Sequence, residues 1–89
     1  MMESNTMTFE LEKINSSNIE IESVTINSSN IGWIINTGFH YVGYYIYPAN
    51  HRTTPGIGLS FAFRNKSAAE NWFKILYGED KGYWESIDK

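Results

Sequence analysis

Four clustered carboxylates, two histidines, an arginine and a group of tyrosines are the side chains of this 89-residue sequence whose types and spacing bear on chemistry. Glu10 and Glu12 alternate along one short stretch, and Glu20 and Glu22 along the next. Acids so arranged suit a hard divalent cation or attraction to a basic partner. A calcium site needs an oxygen-rich loop turned by a glycine, and neither stretch supplies one, so no metal and no cofactor are expected. His51 beside Arg52, in "NHRTT", would join a general base to an anion clamp. No nucleophile motif and no glycine-rich phosphate loop accompanies them, and "TPGIG" reads as a turn. The chain is expected to be a binder and not an enzyme.

Tyr41, Tyr44, Tyr45 and Tyr47 crowd into "GFHYVGYYIYPANH" (38–51), and no Asp, Glu, Lys or Arg occurs between Ser23 and Asn50. Tyrosine combines a large area, a polar tip and few rotatable bonds, which suits a contact surface. The same rings would stack single-stranded bases, but such surfaces carry cations for the phosphates, and this stretch has none. Ten acids against seven bases leave a net charge of −3, the wrong sign for a nucleic-acid footprint. With no cysteine there are no disulfides and no thiolate metal sites, so packing must hold the fold. The most apolar segment, 31–47, is interrupted by Asn36, Thr37 and His40 and has no basic flank close on its N-terminal side. The N-terminal "MMESNTMTFELEK" lacks the basic-then-apolar run of a secretory leader. A soluble, cytosolic protein is expected.

The length suits one domain, spanning 1–89, with one modest core. A strand over about 7–13 puts Met7, Phe9 and Leu11 on one face and Thr8, Glu10 and Glu12 on the other. A second, over about 19–26, starts with Ile19 and Ile21 inward and Glu20 and Glu22 outward. Its phase then reverses at Val24 and Ile26, which predicts a bulge near Ser23. "INSSNI" occurs at 14–19 and again at 26–31, and both copies read as reverse turns between antiparallel strands. Strands over about 31–35 and 39–47 follow, joined through Asn36-Thr37-Gly38 as a hairpin loop with Gly38 in the left-handed conformation. A two-residue Thr37-Gly38 turn ranks second, because it forces a β-branched residue to positive φ. A fifth strand, about 57–64, sets Ile57, Leu59, Phe61 and Phe63 against Gly58, Ser60, Ala62 and Arg64.

One helix, about 68–77, opens with a capping box of Ser67 and Glu70. It carries an apolar stripe of Ala69, Trp72, Phe73 and Leu76 and closes at Gly78. The tail, 79–89, folds Tyr83 and Trp84 back as a cover. The expected fold is α+β: a five-stranded antiparallel β-meander with one C-terminal amphipathic helix packed on one face.

A helix of this length shelters only part of a sheet about 20 Å wide. In the preferred register Ile31, Trp33, Ile35, Phe39, Tyr41 and Tyr45 meet the helix. Ile34, His40, Val42, Tyr44 and Ile46 then share a face with no second helix to cover it. That face is either a contact surface, for a partner protein or a second copy of the chain, or the inside of a sheet that curls into a small barrel. A one-residue slip exchanges the two sets.

Glu10, Glu12, Glu20 and Glu22 are expected on one outward face of the first hairpin. They act there as edge protection, or as an anionic stripe that matches a basic surface on another protein. The strand-to-helix corner "SFAFRNKSAAENWFKILYG" (60–78), on a short chain with an acidic N-terminal half, resembles small phage-encoded anti-CRISPR proteins. It is most like a type I inhibitor with a β-meander and a Ser-capped helix bearing a "WF" pair. That resemblance implies a non-enzymatic inhibitor that occupies a surface of a larger, nucleic-acid-binding host defence complex, in the host cytosol. Two alternatives are an immunity-type protein that neutralises a cognate toxin, and a small ligand-binding or enzymatic domain.

Overall fold

The computed structural model describes residues 7–14, 19–48 and 58–87. The first "INSSNI" turn, the loop with His51 and Arg52, the Pro55-Gly56 turn and Ile57 lie outside them. Five strands, β1 (Phe9–Ile14), β2 (Glu20–Ile26), β3 (Ser29–Asn36), β4 (Tyr41–Ile46) and β5 (Gly58–Phe63), form one antiparallel sheet in the order β1-β2-β3-β4-β5. Two helices follow, α1 (Lys66–Glu79) and α2 (Lys81–Ile87). The fold is an α+β meander, with the C-terminal tail forming a second short helix.

The turn from β2 to β3 is two residues long, with Asn27 and Ser28 both at positive φ (51° and 71°). That geometry matches the twist of a hairpin, and Asn accepts it more readily than most side chains. Asn27 also ties in β1, since its backbone N–H donates to the Thr8 carbonyl and its Oδ1 accepts from the Thr8 N–H, both at 2.9 Å. The β3–β4 ladder closes at Asn36 and Tyr41, so the loop runs from Thr37 to His40 and is longer than Asn36-Thr37-Gly38. Gly38 does take positive φ, at 95°, and Phe39 at the tip is 93% exposed.

Along β2 the phase never breaks. Glu20, Glu22, Val24 and Ile26 all share the helix-side face, and Ile21 points to the other side. The irregularity lies instead in β3, where Val24 pairs with Gly32 and Thr25 with Asn30, leaving Ile31 as the extra residue of a bulge. Ile31 is fully buried in the core, and beyond it the faces of β3 exchange. Ile34 enters the core, while Trp33 and Ile35 turn to the opposite face, the reverse of the sequence-based expectation. Asn30 steadies the bulge, donating from Nδ2 to the Val24 carbonyl at 3.1 Å.

The helix α1 starts earlier than the capping box predicts. Asn65, not Ser67, is its N-cap and accepts the Ala68 N–H at Oδ1, while the Ser67 hydroxyl donates to the same oxygen. It also runs through Gly78 and ends at Asp80, whose N–H donates to the Leu76 and Tyr77 carbonyls. Its buried line is Ala69, Phe73 and Tyr77, with Trp72 and Leu76 on the flank. Val24, Ile26, Ile31, Ile34, Tyr45 and Trp84 complete the core. The tail does act as a cover, because Trp84 is buried and stacks on Tyr77.

Two glycines let α1 sit close to the sheet. A Cβ on Gly32 would strike the Tyr44 carbonyl and lie 2.8 Å from the Phe73 ring, and one on Gly43 would lie 2.7 Å from Trp72. Gly32→Ala is therefore expected to cost about 2–4 kcal/mol. Gly38→Ala, in open space, should cost only about 1 kcal/mol of backbone strain. Urea denaturation distinguishes the two, and equal costs would mean that the approach at Gly32 is not tight. Phe73→Ala, which empties the same contact, should cost about 3–5 kcal/mol.

Candidate functional site

The face of the sheet turned away from both helices is built in transverse rows, because ladder partners point the same way. One row crosses all five strands and is wholly apolar: Ile14, Ile21, Ile35, Val42 and Ala62. The next is Glu12, Ser23, Trp33, Tyr44 and Ser60. Trp33 and Tyr44, direct partners across β3 and β4, stack with ring centroids 6.0 Å apart and planes 24° from parallel. The Tyr44 ring lies over Gly58, where a Cβ would collide with it, so a glycine in β5 lets that ring lie flat on the sheet. Between the rows is an apolar hollow of about 250 Å³, open to solvent and lined by Ile14, Ile21, Trp33, Ile35 and Tyr44. Ile14, at the β1 end of its row, and Tyr44 keep 39% and 38% of their surface exposed, large values for side chains of this kind.

The expected site residues divide. Val42, Tyr44 and Ile46 stand on this face, with Glu10 and Glu12 exposed on its β1 side. Ile34 does not, being 2% exposed inside the core, because the bulge at Ile31 inverts its strand. His40 lies in the loop before β4, and its carbonyl accepts from the Thr37 N–H and hydroxyl. Glu20 and Glu22 stand on the opposite, helix-side face, so the four acids form no single ribbon. Glu22 meets Lys66 at 2.5 Å, an ion pair that pushes the lysine pKa up, and Glu20 accepts from Asn36 Nδ2 at 3.0 Å. Sequence reasoning missed Trp33, Ile35, Ile14 and Ile21. The glycine beside Trp33 was the available signal, since a glycine inside a strand marks a bulge.

A buried polar constellation lies on the other side of the sheet. Tyr45, fully buried, donates its hydroxyl to Asp80 Oδ2 at 2.5 Å and accepts from the Trp84 indole N–H at 3.0 Å. A phenol and a carboxylate in contact are a familiar proton relay, but the core surrounds this pair, and it joins β4 to the α1–α2 corner. Burial, reinforced by the Asp80 hydrogen bond, pushes the Tyr45 pKa far above its ordinary 10.0, against the opposing effect of Trp84. Among the described residues no three His, Asp or Glu side chains stand together as metal ligands, and no helix is long and apolar enough to cross a membrane.

Comparison with known proteins finds no family model, no curated protein and no solved structure that matches this chain.

Tyr45→Phe leaves Asp80 and Trp84 short of a partner and should cost about 1–3 kcal/mol at neutral pH. The raised phenol pKa also has a signature in alkali. Below pH 10 both folded and unfolded chains hold this proton, so its contribution is fully present; above it only the unfolded chain releases the proton, and stability falls. Wild type should lose about 1.4 kcal/mol per pH unit more than Tyr45→Phe above pH ~10. Parallel curves from denaturant unfolding at graded pH would show that Tyr45 ionises freely in the folded chain.

Proposed function

We propose that this protein is a non-enzymatic binding module that docks a larger protein on the open face of its sheet, with a basic rim on that partner meeting Glu10 and Glu12. The observation that carries this reading is the apolar row Ile14–Ile21–Ile35–Val42–Ala62 with the Trp33–Tyr44 stack beside it, spanning the sheet without a charge. An apolar centre with polar flanks is the anatomy of a protein contact, and stacked aromatics beside a hollow are its usual anchors. The strand residues of this face include two carboxylates and no basic side chain, which favours a cationic partner over a second copy of the same acidic surface.

A nucleic-acid-binding surface on a nucleoprotein complex has that chemistry, and a chain seated on it would exclude the nucleic acid. The likeness of the β5–α1 corner to small anti-CRISPR proteins favours a host defence complex as the target, with the protein acting as a steric inhibitor.

A photo-crosslinking residue placed at Tyr44 should capture the partner from host lysate, whereas the same residue at Phe39, exposed on the loop tip, should not. With the captured partner purified, Glu10→Lys with Glu12→Lys should slow association about three- to tenfold at low ionic strength and flatten its salt dependence. Glu20→Lys, on the far face, should leave association nearly unchanged. Trp33→Ala should act on dissociation instead. If Glu20→Lys slows association as much as the Glu10 and Glu12 pair does, the open face is not where the partner sits.

A further inference from the structure

The sheet has two edges, and they differ in kind. At β1 the edge carries Glu10, Glu12 and Lys13, charges of the sort that discourage strand pairing. At β5 the edge reads Gly-Leu-Ser-Phe-Ala-Phe, with no charge and no proline, and no register shift interrupts its pairing with β4. Among the described residues no hydrogen bond engages its outer side, so alternate N–H and C=O groups point away from β4 unpaired. Phe61 on this strand is 59% exposed and Leu59 40%. Phe61 is nonetheless held in place, 5.1 Å from the Phe63 ring and 6.5 Å from the Trp72 ring.

We propose that β5 pairs antiparallel with β5 of a second copy of this chain, with Phe61 on the two-fold axis, so that two sheets join into one. A two-fold axis normal to the sheet keeps like faces on the same side, so opposed residues must share a face and the register must centre on a residue. Centring on Phe61 sets Phe61 against Phe61 and Leu59 against Phe63 on the helix side. On the open side Ser60 meets Ala62, small residues that leave the strands unhindered. Cross-strand aromatic and aliphatic pairs of this kind are the ones that stabilise a ladder. Charge selects the same edge. Within one chain β1 lies four strand spacings from β5, about 19 Å, and across the paired sheets the two β1 edges stand about 43 Å apart. That separation is several screening lengths, so two copies with a net charge of −3 meet along their uncharged edges. Both open faces then lie on one side of the joined sheet.

Sedimentation of the wild-type chain over a range of concentrations should show a monomer–dimer equilibrium. Phe61→Lys, which places two ammonium groups on the axis and removes the ring pair, should raise the dimer Kd about tenfold or more. Ala62→Lys, at an exposed position of the same edge, should do likewise if Phe61→Lys disturbs folding. Ile14→Lys, on the open face at the opposite edge, should leave the equilibrium unchanged. The chain has no cysteine, so a single introduced one reports the register. Under mild oxidation Phe61→Cys should link to itself, whereas Leu59→Cys, about 14 Å from its own copy, should not. A monomer up to millimolar concentration, a dimer weakened by Ile14→Lys but not by Phe61→Lys, or cross-linking of Leu59→Cys as fast as Phe61→Cys would overturn the proposal.

Discussion

The structure depends on one close approach. Phe73 of α1 descends onto the sheet where β3 and β4 present Gly32 and Gly43, and a side chain at either glycine would displace it or Trp72. Gly32 is also the residue after the bulge, so the feature that seats the helix is the feature that inverts β3. Ile31 then fills the core beside Ile34, and Trp33 and Ile35 are released to the far face. The core and the open face are thus two consequences of a single extra residue, and neither could be altered without the other.

That coupling explains what was legible from residue patterns. Strands with regular alternation and no glycine at their centre are transparent: Phe9 and Leu11 of β1, and Leu59, Phe61 and Phe63 of β5, face the helix side as period two requires. β4 keeps its phase despite the central Gly43, with Tyr41 and Tyr45 going in and Val42, Tyr44 and Ile46 going out. The stripe of α1 and the folding back of Trp84 follow from helical spacing and from the need to bury an indole. What could not be read was the phase of β3 beyond the bulge. Ile31, Trp33, Ile34 and Ile35 are nearly continuous in hydrophobicity, so either face fits the composition, and only contact with Phe73 decides. The N-cap was a closer contest, since Asn65 and Ser67 are both good caps two residues apart. Asn65 prevails and recruits the Ser67 hydroxyl to its own oxygen.

The acids show a second limit of local pattern. Glu20 and Glu22 alternate with isoleucines, and hydrophobic logic alone would bury Ile19 and Ile21. The sheet does the opposite, because Val24 and Ile26 must enter the core and the strand keeps one phase throughout. The carboxylates are tolerated on the helix side because they lie toward the end of the sheet where α1 begins. There Lys66 pairs with Glu22, and Lys13 stands opposite it in the ladder. Burial of the larger apolar pair outweighs the loss of an acidic ribbon, as expected when each buried aliphatic side chain contributes about 1.5–3 kcal/mol and an exposed charge arrangement well under 1.

An antiparallel sheet with one solvated face normally alternates apolar inward and polar outward along every strand. Here the rule is kept at Glu10 and Glu12 of β1 and at Ser60 of β5, and it fails across the centre. The outward residues of β1 include Glu10 and Glu12, and those of β5 are Gly58, Ser60 and Ala62. Those of β3 and β4 include Trp33, Ile35, Val42, Tyr44 and Ile46. A sheet that curled closed over this face would draw Glu10 and Glu12 of β1 inside with it. An apolar middle with carboxylates along one margin fits the proposed protein contact. Both helices are committed to the opposite face, α1 by Phe73 and α2 by the bond from Trp84 to Tyr45, so neither is free to cover this one.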